Sequence, residues 1–358
     1  MTNTSALVIP DKIPFLSYPS PRSSNKSLKH VLIFFIPGNP GLISYYAPFL
    51  TALHQLLQER EKSPDCNYAY DIYGRNLIGF ADEDHSPPFG SLTSPDHGAT
   101  TTTRVILPFS LEQQIALLRS DLERLNRDCR VYDDVILIGH SVGSYIALEL
   151  FHRHHVSSCT VPIKAAILLF PTVSHIARSP SGQKLNLLAT YSWLDNYAHA
   201  VAKGFVSLLP ASVLSFVVHK VMKFPPHAAE ATLDFLRSKD GIWQALHMGK
   251  DEMRTITEEK WQKDFWEEIT STDTEGEGER EEEGKGKGNK FYFYFAEKDH
   301  WVADACRDEF IAARKQNPRA RTEIVIGTEK IPHAFCIHHS ETVAEKVKVW
   351  IDEITGQL

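Results

Sequence analysis

Along the 358-residue chain, hydrophobic positions alternate between short unbroken runs and longer periodic ones. The unbroken runs lie at residues 30–36 (HVLIFFI), 68–73 (YAYDIY), 135–138 (VILI), 163–170 (IKAAILLF), 291–296 (FYFYFA) and 323–326 (EIVI). They are too short for helices, and most lack the polar alternation of a half-exposed strand. They therefore predict strands buried on both faces of a parallel sheet. Between them, apolar residues recur three and four positions apart: Phe49, Leu50, Leu53, Leu56 and Leu57; Leu111, Ile115, Leu118, Leu122 and Leu125; Val343, Val347, Trp350, Ile351 and Ile354. These stripes predict amphipathic helices, the second capped by Ser110. Further helices are expected at 144–150 and around Ile311. Strand and helix in alternation predict an α/β fold with a doubly wound, mostly parallel sheet.

The rhythm breaks in four places. Residues 1–29, interrupted by Pro10, Pro14, Pro19 and Pro21, read as an edge strand or hairpin. Residues 74–109 are rich in Gly, Pro, Ser, Thr and Asp and read as an irregular excursion near the substrate entrance. Residues 173–270 hold helix-like stretches without a comparable strand, which predicts an inserted helical cap. Residues 271–290 are almost entirely Glu, Gly, Lys and other polar residues, a solvated loop carrying no chemistry. The expected division is a core over 1–172, a cap over 173–270, the acidic loop over 271–290, and the rest of the core over 291–358.

Chemistry concentrates where the 135–138 strand turns into a helix. Gly139-His140-Ser141-Val142-Gly143 is a G-x-S-x-G pentapeptide between the two. In that setting the pattern is the nucleophile elbow of an α/β-hydrolase fold. The serine takes a strained conformation, so the flanking positions must lack bulk. The free N–H groups of the following helix suit a developing oxyanion. Pro37-Gly38-Asn39-Pro40-Gly41 ends the 30–36 strand, where the second oxyanion donor belongs. Pro40 has no N–H, so the backbone amides of Asn39 and Val142 are the expected pair. A serine nucleophile needs a base, and the base a carboxylate, following in the order Ser, Asp or Glu, His on loops after later strands. Asp299 follows the aromatic strand, with Glu297 and Asp304 as rivals, and His333 follows the last strand, with His338 and His339 as rivals. The expected catalytic set is Ser141, Asp299 and His333.

Composition narrows the alternatives. A net charge of -7 argues against nucleic-acid binding. Cys66, Cys129, Cys159, Cys306 and Cys336 are scattered and never form C-x-x-C, which points to a reducing compartment and away from structural zinc. The N-terminus lacks a basic segment followed by an apolar one, so no secretory signal is expected. His152, His154 and His155 cluster at a helix end with no carboxylate or cysteine at ligand spacing. No metal and no cofactor are expected, nor is there a P-loop. Within the cap, residues 205–218 form an apolar run too short and proline-broken to span a bilayer comfortably. It suits either the cap interior or a lipid interface.

Several of these segments together resemble the lipid droplet-associated hydrolase family. They are Ile36-Pro37-Gly38-Asn39-Pro40-Gly41 with Tyr45-Tyr46 and Phe49-Leu50, Leu111-Glu112-Gln113-Gln114-Ile115, the 139–143 elbow, Asp299 with Trp301, and Ile331-Pro332-His333-Ala334-Phe335. The resemblance covers most of the chain outside 1–29, 74–108 and the acidic tract. It implies the α/β-hydrolase fold, a serine esterase or lipase acting on lipid esters, and residence on lipid droplets or the endoplasmic reticulum, on the cytosolic side. The family's triad carries over to Ser141, Asp299 and His333. The chain departs from the family at Val302-Ala303 and in its acidic insertion. The expected function is hydrolysis of carboxylic esters of lipids. The alternatives are a droplet-binding or tethering protein with little turnover, and a thioesterase or general small-ester esterase.

Overall fold

The computed structural model describes residues 13–93, 104–129, 131–156, 161–189, 192–261, 263–266, 290–316 and 322–356. The first half runs β1 (Phe15–Tyr18), β2 (Lys29–Ile36), α1 (Ala47–Glu61), β3 (Tyr68–Arg75), the short pair β4 (Leu92–Thr93) and β5 (Arg104–Val105), α2 (Leu111–Arg124), β6 (Asp134–His140), α3 (Val142–Val156) and β7 (Ile163–Leu169). A helical stretch follows: α4 (Pro180–Ala189), α5 (Ser192–Leu208), α6 (Ala211–Phe216), α7 (Pro226–Arg237), α8 (Gly241–Thr255) and α9 (Lys263–Trp266). The chain ends with β8 (Lys290–Ala296), α10 (Asp304–Lys315), β9 (Thr322–Gly327) and α11 (Ser340–Thr355).

Seven strands form one sheet in the order β1-β3-β2-β6-β7-β8-β9. Only β1, at the edge, runs antiparallel. The continuous apolar runs have the expected cause: Val135, Ile136, Leu137 and Ile138 are all wholly buried, because helices cover the sheet. α1 packs on α11, and α2 on α3. Ser110 caps α2 in a reciprocal capping box with Gln113. Parallel strands end on the same edge, so the loops after β2, β6, β8 and β9 gather there. Open α/β sheets place their sites on that edge.

Two regions differ from their sequence reading. The described part of the 74–109 excursion lines no part of the cavity above the sheet; it buttresses α8 from behind. The Phe109 N–H donates to Gln244 Oε1 (2.8 Å), and Gln244 returns a bond to Phe109 O (2.9 Å). Phe89 lies edge-on against Trp243. A tail of polar and turn-forming residues masked this role, which rests on a few buried aromatics. Farther along, Phe265 and Trp266 leave the site region and pack against Phe151 of α3 and Phe291 of β8. The acidic tract lies outside the described residues, save Lys290, which opens β8.

The 205–218 run divides between its two expected environments. Leu214 and Val218 are buried in a small core with Ala229 and Leu233 of α7. Phe205, Leu208, Val213 and Phe216 face outward. Tyr197, Val201, Phe205 and Leu208 follow at helical spacing and form one exposed apolar stripe on α5. Among the described residues no single helix is long and apolar enough to cross a membrane. One pair, Tyr197–Leu208 with Ala211–Val221, has the length and composition together but is bent by 101°. Lys203 turns away from this surface, donating to Leu236 O and Arg237 O at the end of α7. Lys220 and Lys223 remain exposed beside it.

Candidate active site

Ser141 sits between β6 and α3 with φ 55°, a left-handed conformation unfavourable for a serine. The neighbouring glycines make room for it. A Cβ on Gly139 would lie 2.3 Å from Gly143 O, and one on Gly143 would lie 2.3 Å from Ile36 O. The elbow is pinned by Ser141 N–H donating to Leu169 O (3.0 Å) and Ser144 Oγ donating to Gly139 O (2.9 Å). The strained turn thus aims the hydroxyl away from the sheet.

The three side chains expected from sequence meet here. Asp299 Oδ2 lies 2.6 Å from His333 Nδ1, and His333 Nε2 lies 2.9 Å from Ser141 Oγ. The carboxylate accepts, so His333 carries its proton on Nδ1, and Nε2 is free to accept from the Ser141 hydroxyl. Asp299 Oδ1 accepts a second bond, from the Trp301 N–H at 2.8 Å. Burial works to raise the Asp299 carboxyl, but its bond to His333, the His333 charge and the Trp301 amide outweigh it and hold it below the usual range. The rivals lie elsewhere. Glu297 is exposed, Asp304 is exposed and paired with Arg307, and His338 is exposed, while His339 caps the start of α11.

Asn39 and Val142 are the two expected oxyanion donors. Val142 is the first residue of α3, and its N–H has no hydrogen-bond partner among the described residues, nor has that of Asn39. Val142 directly follows Ser141, and Asn39 lines the same cavity as Ser141.

Sequence reading missed the support beneath the base. His140 is buried, and its Nε2 lies 2.9 Å from His333 O. A carbonyl only accepts, so His140 donates from Nε2 and accepts at Nδ1 from the Tyr46 hydroxyl (2.7 Å). Tyr46 Oη in turn accepts from the Gly38 N–H (3.0 Å). Burial first, then the His333 charge, pushes His140 down to about 3, so it stays neutral and keeps this tautomer. One relay therefore ties the loop after β2 to the loop carrying the base. Only the position of His140 beside the serine hinted at it.

Above Ser141 opens a cavity of about 840 Å³, toward the upper end of the roughly 300–1,000 Å³ typical of ligand sites. Its walls are mostly apolar: Val201, Ala202 and Phe205 of α5, Leu246 and Met253 of α8, and Trp301. Val201 and Phe205 belong at once to the cavity wall and to the exposed stripe of α5. No group of three or more His, Cys, Asp or Glu suited to a metal occurs among the described residues. The geometry can activate a hydroxyl and receive negative charge beside it, next to an apolar substrate.

The model of the family described as lipid-droplet associated hydrolase matches residues 29–336. The chain belongs to that family. Among its relatives, the lipid droplet-associated hydrolase of Rattus norvegicus is 30% identical over 228 residues, covering 63% of this chain and 62% of the rat protein. That of Mus musculus is 26% identical over 323 residues, covering 90% of this chain and 84% of the mouse protein. Among solved structures, a peroxisomal α/β-hydrolase from Saccharomyces cerevisiae superposes with a TM-score of 0.57 at 11% identity, covering 99% of this chain and 85% of that one. A bromoperoxidase from Bacillus anthracis gives 0.52 at 12% identity, covering 94% of each chain. At such identities the likeness establishes the α/β-hydrolase fold, and family membership makes the chain a hydrolase.

Proposed function

We propose that this protein hydrolyses carboxylic esters of lipids by a serine mechanism at the surface of lipid droplets. The observation that carries the reading is the unbroken hydrogen-bonded line from Asp299 through His333 to Ser141 Oγ at the floor of an apolar cavity. Ser141 Oγ attacks the ester carbonyl carbon while His333 Nε2 takes its proton. Asp299 holds the tautomer and stabilises the imidazolium. The carbonyl oxygen becomes an oxyanion, held by the N–H groups of Asn39 and Val142. Collapse expels the alcohol with the proton from His333 and leaves an acyl-serine. Water, deprotonated by His333, then releases the acid.

The cap supports the choice of a lipid surface. Water-insoluble esters must pass from an apolar phase into the cavity. The α5 stripe, exposed on one side and lining the cavity on the other, offers a continuous apolar path. Lys220 and Lys223 suit the polar headgroup layer of a droplet or of the endoplasmic reticulum membrane. The same surface also favours a second reading, a droplet-binding protein with little turnover. Purified protein offered a panel of triacylglycerol, sterol ester, short-chain ester and thioester, beside Ser141→Ala, separates the two. The proposal expects Ser141-dependent release of acid from a lipid ester. Release from the thioester alone would reassign the substrate, and droplet binding without any turnover would favour the second reading.

A further inference from the structure

Glu252 is a carboxyl with no ion-pair partner among the described residues, 5% exposed, in the wall of the catalytic cavity. It stands in the last turns of α8, and its Oε1 accepts from Asn39 Nδ2 at 3.0 Å. The same amide nitrogen donates to Ala245 O at 3.1 Å. Positions 245 and 252 lie two turns apart on one face of α8, so both amide hydrogens of Asn39 are fixed along that face. Gly249 lies between them, and a Cβ there would sit 3.7 Å from Asn39 Nδ2. The side chain is thus held at two points, and its own backbone N–H is left without a partner beside Ser141. A buried acid with no cation is costly unless it is neutral. Burial pushes the Glu252 carboxyl up to about 8, against the smaller opposing effect of the Asn39 bond.

We propose that Glu252 is a positioning residue, which through the Asn39 side chain holds the Asn39 backbone N–H where it receives the oxyanion. The inference rests on the oxyanion assignment made above. The neutral acid has a further consequence: it accepts the Asn39 bond without placing a negative charge near the developing oxyanion. An ionised Glu252 would oppose that charge in a low-dielectric cavity.

Several groups around Glu252 are shifted by their own burial. Burial holds Tyr45 and Cys336 up at about 12 and Tyr46 well above its ordinary value. Burial lowers His140 to about 3 and also lowers His300. Lys250 and Asp251 neighbour it on α8, where Asp251 accepts from the Leu111 N–H at 2.7 Å. His333 lines the same cavity. The elements packed on α8 add Glu112, bonded to Arg153, His199, stacked on Trp243, Asp234 and Arg178. All of these are common to wild type and a Glu252→Gln variant, so the difference between their pH profiles isolates Glu252.

The test is steady-state kinetics on a soluble short-chain ester with wild type, Glu252→Gln, Glu252→Leu, Asn39→Ala and the Glu252→Leu/Asn39→Ala double variant. Glu252→Leu should lower kcat about 10- to 100-fold with little change in KM, less than or equal to the loss of a whole oxyanion donor. Asn39→Ala should lose a similar factor, and the double variant no more than either. Glu252→Gln should stay within about 3-fold at pH 7, since its carbonyl still accepts from Asn39. Above about pH 8, wild-type kcat should fall relative to that of Glu252→Gln. Additive losses, losses confined to KM, or coincident pH profiles would overturn the inference. If Glu252→Leu fails to fold, the Glu252→Gln profile and Asn39→Ala still decide. A Ser141→Ala variant as active as wild type would instead overturn the proposed function beneath it.

Discussion

Replacing Leu208, Phe216 and Val221 by serine removes three apolar side chains from the exposed surface of the α5–α6 bend without touching the cavity wall. They are 83%, 60% and 64% exposed, so their removal leaves the small core of Leu214, Val218, Ala229 and Leu233 intact. Fully burying a side chain of this size is worth about 1.5–3 kcal/mol. At about two-thirds exposure each contributes roughly 1–2 kcal/mol on docking into a lipid monolayer, and the three together about 3–6 kcal/mol. At about 1.4 kcal/mol per decade, that is roughly two to four decades of partition coefficient. Flotation of wild type and variant with triolein droplets coated in phospholipid measures it directly. Wild type should float with the droplets and the variant should remain in solution, while both hydrolyse a soluble short-chain ester at the same rate. Equal flotation of the two proteins, with the variant folded, would refute the docking surface.

The remaining predictions concern the site. Asp299→Asn should fold yet lose about 10³- to 10⁴-fold in kcat, because the amide can donate to His333 Nδ1 and so stabilises the wrong tautomer; kinetics on the short-chain ester check this, and a larger loss on changing Glu297 would move the acid. Glu252→Gln should be more stable than wild type at neutral and alkaline pH. The raised carboxyl stays protonated in the fold while the unfolded chain ionises, so wild-type stability declines as pH rises from about 4.5 to about 8 and then levels off. The gain is bounded at about 5 kcal/mol, or about 6 °C in Tm for a chain of this length; thermal unfolding at pH 4.5 and pH 8.5 should show the difference only at the higher pH.

Much of the sheet was legible in the sequence because a parallel strand covered on both faces reads as an unbroken apolar run. The elbow was legible because steric demand writes itself as Gly139 and Gly143 around the serine. Chain order then selected Asp299 and His333, and in the fold His333 meets Ser141 while Asp299 meets His333. The groups that escaped notice act through distant partners. Glu252 sits among Lys250, Asp251 and Arg254 and reads as part of a solvated helix face; only the packing of α8 over the loop after β2 buries it. His140 and Tyr46 become a relay only when the fold brings together two residues 94 apart in sequence. In the 205–218 run, whether a given leucine faces α7 or solvent depends on a 101° bend that periodicity does not encode.

The central claim is that Ser141 is a nucleophile activated by His333 and Asp299. Labelling with a fluorophosphonate, followed by peptide mass spectrometry, tests it most directly, because the probe reacts only with an activated serine and reports its position. Wild type should carry one phosphonyl group on the peptide containing Ser141. Ser141→Ala should carry none, and His333→Ala should label slower by several orders of magnitude. A folded wild type that stays unlabelled, or an equal rate of labelling in His333→Ala, would contradict the account.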